Sequence, residues 1–325
     1  MKGYIGIDLG GTNIKAGVVD KDGKILCKHS VKTGAKRSME DIVHDMGQLA
    51  LDVIVQSGLK EEDIIAVGIG SPGTPNNQKG TLVYSSNLPF RDAPLREIIG
   101  KMTRKPVYIE NDANCAAMAE SVSGAAKDAA HSVTVTLGTG VGAGIIIHKR
   151  IYSGFNQAGS EFGHSVIVVD GVPCGCGRKG CFESYASATA LIRMTKEAAA
   201  AHKDSKLHQV ISDNNGKVNA KIAFQAKRLG DAVAAEVVEN YLEHLSEGLA
   251  NVVNALMPEI LVVGGGVCNE GDALLLPVRE KVSSKTYYGP GVPKTTIKLA
   301  EMGNDAGIIG AAMMAKSCVD DNIPG

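Results

Sequence analysis

Ile5-Gly-Ile-Asp-Leu-Gly-Gly-Thr-Asn-Ile-Lys-Ala-Gly-Val-Val19 is the stretch that decides the fold, because the chain uses its pattern twice. The second copy is Val133-Thr-Val-Thr-Leu-Gly-Thr-Gly-Val-Gly-Ala-Gly-Ile-Ile-Ile147. Each copy is a β-rich run, then Leu-Gly, then small turn residues, then a second β-rich run. Glycine-rich turns between β-branched runs are hairpin signals. Two such openings, each heading one half of the chain, predict a duplicated architecture of two α/β domains facing each other across a cleft.

Outward from these hairpins, strands and helices alternate. Asp41 to Ser57 reads as a helix, and Ile64 to Ile69 as a strand ending in the turn Gly70-Ser-Pro-Gly73. Pro106 to Glu110 reads as a strand that runs into Asn111-Asp112 and an alanine-rich helix to about Ser123. A helix is expected from Glu183 to Ala201 and a polar loop or linker from His202 to Lys221. Between Asp231 and Leu256, Val237, Val238, Tyr241, Leu242, Leu245, Leu249, Val252 and Val253 recur at helical period until Pro258 stops the helix. Ile260 to Val263 is a buried strand ending in Gly264-Gly-Gly266, and Asp305 to Lys316 a last helix. Strands alternating with helices place the chain in the α/β class.

Composition removes several functions. Acidic and basic residues nearly cancel, 35 against 34, with no like-charge block, so neither nucleic acid nor an anionic membrane is an expected partner. The chain has no Trp, which argues against a platform for stacked bases. The apolar run from Tyr4 to Leu9 is too short for a signal peptide, and no stretch reaches the about 18 apolar residues of a membrane span, so a cytoplasmic protein without disulfides is expected. Cys27, Cys115, Cys268 and Cys318 are scattered and read as small buried hydrophobes.

Three glycine turns are candidates for holding phosphates: Gly10-Gly11-Thr12 with Asn13, Gly138-Thr139-Gly140, and Gly264-Gly265-Gly266. Glycine lets backbone N–H groups close on an anion, although any one of these turns could be a plain hairpin. No Gly-x-x-x-x-Gly-Lys-Ser/Thr occurs, which excludes a P-loop. Gly138-x-Gly140 loosely resembles a dinucleotide fingerprint, but strand-like Gly144-Ile-Ile-Ile147 follows where that motif needs a helix. Asp8, at a strand end before the first turn, could hold Mg²⁺ through water or simply cap the turn.

His164 precedes Cys174-Gly-Cys176-Gly-Arg-Lys-Gly-Cys181 by ten residues. Three thiolates and an imidazole satisfy four-coordinate zinc, and four protein ligands make the ion structural. Such an ion would hold His164 by one ring nitrogen and leave the other for a substrate hydroxyl. Glu183 and Glu161 flank the cluster and are candidates for the same pocket, against the alternative of solvated surface charges. Asn111-Asp112 sits where a strand meets a helix. It reads either as an N-cap or as the site of a general base for a hydroxyl nucleophile, which phosphoryl transfer requires.

Ile7-Asp-Leu-Gly-Gly-Thr12, Leu137-Gly-Thr-Gly140, Glu161-Phe-Gly-His164 and Cys174-Gly-Cys-Gly-Arg-Lys-Gly-Cys-Phe-Glu183 together resemble the ROK family, whose members include bacterial glucokinases, other hexose and N-acetylhexosamine kinases, and sugar-responsive repressors. The resemblance runs from about Lys2 to Lys316. It implies a duplicated actin-like ATPase fold of the ribonuclease H and hexokinase type. The small domain would be 1–112, completed by about 305–325, and the large domain 113–304 would hold the zinc loop. It implies an ATP-dependent glucokinase acting on the 6-hydroxyl, with N-acetylmannosamine, N-acetylglucosamine, fructose or allose as alternative substrates. Asp112 would be the base. Asn87, Asn111, Glu161, His164 and Glu183 would bind sugar, the Asp8–Asn13 and Gly138–Gly140 turns the phosphates, and Gly264–Gly266 the nucleotide. A homodimer or homotetramer is implied as well. The family's repressors carry an N-terminal DNA-binding segment, for which the residues before the first strand leave no room. A non-catalytic sensor would dispense with the base or the phosphate turns, and both are present. An actin-like filament or chaperone ATPase would not need the zinc-anchored His and glutamates.

Overall fold

The computed structural model of the chain describes residues 1–85 and 88–325. In chain order, the first half runs β1 (Gly3–Leu9), β2 (Asn13–Asp20), β3 (Ile25–Lys32), α1 (Met39–Ser57) and β4 (Ile64–Ser71). It continues with the short strands β5 (Thr74–Asn76), β6 (Thr81–Tyr84) and β7 (Arg91–Ala93), then α2 (Leu95–Thr103), β8 (Val107–Asn111) and α3 (Asp112–Val122). The second half begins β9 (Ser132–Leu137), β10 (Val141–Ile147) and β11 (Arg150–Tyr152), and then turns helical. Its helices are α4 (Glu183–Ala186), α5 (Ala188–Ala201), α6 (Leu207–Asp213), α7 (Ile222–Arg228) and α8 (Ala232–Leu256). β12 (Ile260–Gly264), α9 (Asp272–Lys285), β13 (Thr296–Leu299) and α10 (Ala306–Asp320) complete it.

The repeat in sequence is a repeat in topology. Among the described residues one sheet has the order β3-β2-β1-β4-β8 and another the order β11-β10-β9-β12-β13. Each is a three-strand meander followed by two strands added on the far side of its first member. In the first sheet β1, β2 and β3 pair antiparallel, and β1, β4 and β8 pair parallel. In the second, β10 and β11 are antiparallel and β12 and β13 parallel. Parallel neighbours need a crossover, which α1, α2 and α9 supply.

Period-two alternation gives β1 two faces. Ile5, Ile7 and Leu9 pack with Ile42, Val43, Met46 and Leu49 of α1 in one core cluster. Tyr4 packs with Ile308 and Ala312 of α10 in another. The α10 side is lined by glycine: Gly17, Gly6 and Gly68 are neighbours across β2, β1 and β4. A Cβ on Gly6 would lie 1.9 Å from the Ile308 carbonyl oxygen, and one on Gly68 1.9 Å from that of Ala311, so α10 lies backbone-to-backbone on the sheet. Ser38 caps α1 by accepting from the Asp41 N–H, and Gly58 ends it in the left-handed conformation.

Two expectations about helices are corrected. The segment from His202 to Lys221, expected as a loop, contains α6. Leu207 and Val210 bury its inner side against Ile222 and Ala226, and seven residues are too few for a period to show in sequence. The helix expected from Glu183 to Ala201 is broken at Ser187, whose extended backbone and side chain cap α5 through the Ala190 N–H. The chain forms two compact units, one of Met1–Thr134, Gly144–Ser160 and Glu301–Gly325, the other of Val135–Ala143 and Glu161–Ala300. Among the described residues no helix is long and apolar enough to cross a membrane.

Candidate active site and metal centre

In the first unit the register of three parallel strands sets a row of residues. Asp8 pairs with Gly70 and Gly70 with Glu110; one step on, Ser71 pairs with Asn111. Two strand spacings put the Asp8 and Glu110 backbones about 10 Å apart at the carboxyl edge of the sheet, the edge where α/β proteins place their chemistry. Asn111 is the N-cap of α3: its Oδ1 accepts from the Ala113 N–H at 2.8 Å, and its Nδ2 donates to the Gly73 carbonyl at 3.2 Å. Capping is therefore the work of Asn111. Asp112, the first helical residue, is exposed, with Oδ1 accepting from its neighbour Ala113 N–H at 2.9 Å. That bond orients the carboxylate at the start of the helix. Beneath it Glu110 is buried, accepting from the Asn111 N–H and the Asn114 side chain, and burial pushes its carboxyl above the usual range.

Asp8 is half-buried and paired with Lys15, the residue facing it across the β1–β2 hairpin, at 3.2 Å. Gly307, in the first turn of α10, packs on the Asp8 carboxylate so closely that a Cβ there would lie 2.4 Å from its carboxyl carbon. The turn beyond Asp8 is closed by the Gly10 N–H on the Asn13 carbonyl, 3.0 Å. Thr33 braces it from outside, Oγ1 donating to the Gly10 carbonyl at 2.6 Å and N–H to the Thr12 carbonyl at 3.0 Å. Gly11 and Thr12 face solvent. Asn87 lies outside the described residues.

In the second unit His164, Cys174, Cys176 and Cys181 come together, each offering one atom, all within 4.8 Å of one another. The Cys176 and Cys181 sulfurs are 3.7 Å apart, and Cys174 Sγ is 3.7 Å from His164 Nδ1. Two sulfurs at about 2.3 Å from a common tetrahedral ion are about 3.8 Å apart, whereas a disulfide would need about 2.05 Å. The donor set and its spacing fit a tetrahedral metal ion. Burial, together with the sulfurs of Cys176 and Cys174, pushes the Cys181 thiol up to about 12, whereas a hydrogen bond from the Arg178 backbone draws the Cys176 thiol down. The loop closes through the Cys174 N–H on the Arg178 carbonyl at 2.8 Å and the Phe182 N–H on the Ser165 carbonyl at 2.8 Å. Of the four scattered cysteines expected to be buried, Cys115 is buried while Cys27, Cys268 and Cys318 are half-buried, and burial raises their thiols, Cys268 to about 12 and Cys318 to about 11.

The knot continues into the turn from Gly138 to Gly140. Glu183, two residues past Cys181, accepts from the Val141 N–H through Oε2 at 2.9 Å, and its Oε1 is 3.9 Å from Cys174 Sγ. The Glu161–His164 turn packs on the same residue: a Cβ on Gly163 would meet the Val141 carbonyl oxygen at 2.2 Å. Glu161 itself is exposed. The third glycine turn joins the second, since Gly265, at φ 99°, has room for no side chain against the Leu137 carbonyl, 2.2 Å from a Cβ. Thus His164, the three cysteines, Glu161, Glu183, Gly138–Gly140 and Gly264–Gly266 are neighbours in one unit. Asp8, Gly10–Asn13, Asn111 and Asp112 share a sheet edge in the other.

Sequence reasoning missed the supports of these residues. Lys15 was within reach, because hairpin register alone faces it to Asp8. Asn114, one helical turn past the cap, carried a weaker signal. Thr33 and Thr189, which hold the two turns, carried none, because their partners are distant in sequence.

The model of the ROK family matches residues 4–318. A glucokinase of Halalkalibacterium halodurans is 37% identical over 96% of this chain and 94% of its own length. Among solved structures, a ROK family glucokinase from Streptomyces griseus in complex with glucose and AMPPNP has a TM-score of 0.80 at 34% identity, covering 97% of this chain and 99% of that one. A ROK hexokinase from Thermus thermophilus gives 0.81 at 32% identity, over 98% and 99% of the two chains. With the repeated sheet order, these neighbours make the fold the duplicated actin-like ATPase fold of hexokinase type.

Proposed function

The chain belongs to the ROK family, and from that premise we propose that it is an ATP-dependent glucokinase, transferring the γ-phosphoryl group of ATP to the 6-hydroxyl of glucose. The observation that carries the reading is the division of labour at the start of α3: Asn111 does the capping, and Asp112, exposed at the first helical position, has its carboxylate oriented by the Ala113 N–H. Asp112 takes the hydroxyl proton as the oxygen–phosphorus bond forms and the bond from the γ-phosphorus to the bridging oxygen breaks, releasing ADP. Glu161, His164, Glu183, Asn111 and Asn87 are assigned to the sugar hydroxyls. Asp8, Gly10–Asn13 and Gly138–Gly140 are assigned to the phosphates, and Gly264–Gly266 to the rest of the nucleotide.

His164, Cys174, Cys176 and Cys181 would hold zinc, which their spacing fits. With four protein ligands its part is structural. Asp8 would hold magnesium through water, as a lone carboxylate does, and that ion supplies charge neutralisation on the phosphates. Lys15, 3.2 Å from the Asp8 carboxylate, holds it in place. The likeness to glucokinases supports a cytoplasmic enzyme feeding glycolysis. The family resemblance supports a homodimer or homotetramer.

The test is a panel of glucose, N-acetylmannosamine, N-acetylglucosamine, fructose and allose with ATP, read by coupled ADP release. Glucose should give the highest kcat/KM. A higher value for another sugar would replace glucose as the substrate, and no sugar-dependent ADP release at all would remove the kinase assignment.

A further inference from the structure

We propose that Thr189 is a positioning residue for the Gly138–Gly140 turn, and that through Glu183–Thr189 the Cys–His knot sets the direction of the amides offered to the nucleotide. This rests on the reading of that turn as a phosphate site.

Both inner carbonyls of the turn are held from one side. The Gly138 carbonyl accepts from the Ala188 N–H at 2.9 Å, and the Thr139 carbonyl accepts from the Thr189 hydroxyl at 2.8 Å. In a planar trans peptide the N–H points opposite to the C=O. Fixing these two carbonyls therefore turns the N–H groups of Thr139 and Gly140 to the other side, adjacent and roughly parallel. Adjacent N–H groups aimed together form an anion nest. A Cβ on Gly138 would have nothing within 4 Å, so the turn is open at that residue.

The brace has a third contact and an anchor. Glu183 Oε2 takes the Val141 N–H at 2.9 Å and fills the space beside Gly140, where a Cβ would lie 2.1 Å from it. All three contacts come from seven consecutive residues that begin two positions after Cys181. Within them Tyr185, Ala186 and Ser187 are buried, and Ser187 caps α5. The segment is pinned at its start by the knot and at its end by a capped helix, so the state of the knot is carried to the turn.

The experiment uses the full chain with its metal and compares Thr189→Val with Thr189→Ser by calorimetric titration of a nonhydrolysable ATP analogue and, separately, of glucose. Thr189→Val keeps the shape and removes the hydroxyl. It should weaken the nucleotide three- to tenfold, by about the worth of one hydrogen bond. Glucose affinity, zinc content and melting temperature should stay at wild-type values, and Thr189→Ser should restore the nucleotide. Unchanged nucleotide affinity in Thr189→Val, or an equal loss for both substrates that serine does not rescue, would overturn the proposal. Gly138→Ala separates this from the underlying reading. Its methyl has room in the fold and obstructs a phosphate at the turn. If Gly138→Ala weakens the nucleotide and Thr189→Val does not, the brace alone is wrong. If neither does, the turn is not the phosphate site and the assignment of both fails.

Discussion

The turn from Gly10 to Thr12 takes its external hydrogen bonds from Thr33, which is fully buried and directly follows β3 of the same meander. The equivalent turn from Gly138 to Gly140 takes them from Ala188, exposed Thr189 and Glu183, some fifty residues on and just past the Cys–His knot. The scheme is shared, a threonine hydroxyl on a turn carbonyl, but one copy is self-contained and the other is tied to the knot. Charge divides in the same way. Asp8 precedes the first turn, whereas Thr136, donating to the Gly142 carbonyl at 3.4 Å, holds the matching place before the second. Duplication kept the backbone device and let the side chains differ, with Asp8 before the first turn, Thr136 before the second, and the Cys–His knot beside the second.

That asymmetry can be broken experimentally. Asp112→Asn should lower kcat by about a hundredfold or more while glucose still binds, the usual cost of losing a general base; more than about a tenth of wild-type kcat remaining would remove Asp112 from that role. Cys176→Ala should abolish stoichiometric zinc, measured by atomic absorption, and weaken glucose and nucleotide by about tenfold or more, because both lean on the knot. Full metal content in that variant would defeat the zinc assignment. Thr33→Val, on the self-contained copy, strips a donor from the Gly10 carbonyl and should cost about 1–3 kcal/mol in chemical denaturation, the same with and without chelator. A chelator-dependent cost would erase the distinction between the copies.

The smallest effect serves as a control on the surface ion pairs between α8 and α9. Hydrogen bonds from Lys285 and Lys281 lower Glu243 from 4.5 to about 2. A folded pKa below the unfolded one contributes stability above pH 4.5 that is lost as pH falls toward 2. With the Glu243 side chain 48% exposed, the amount is under about 1 kcal/mol. Glu243→Gln should flatten the acid limb of the stability profile by that amount and leave kcat untouched; an unaltered acid limb would show that the pairs contribute nothing.

How much of this was legible in the sequence follows from the range of the interactions involved. The two hairpins were legible because β-branched runs around glycine turns are a local signal, and the knot because its three cysteines sit within eight residues. The strand–helix junction at Asn111-Asp112 was legible as a place, but not the division between its two residues, which depends on where the cap's Oδ1 points. α6 was hidden by its polar composition, since only Leu207 and Val210 of its seven residues are buried. The break at Ser187 was hidden because alanine on either side favours helix. The braces were illegible, because a hydrogen bond from residue 189 to residue 139 leaves no mark on either neighbourhood.

The most direct test of the two-copy account is amide hydrogen exchange on the full chain before and after zinc is stripped by a chelator. The account predicts faster exchange at Val141 and Ala188, whose N–H groups are held by Glu183 and by the Gly138 carbonyl, with Gly10 and Thr33, the bonded amides of the first turn, unchanged. Equal acceleration at both turns, or at neither, would contradict it.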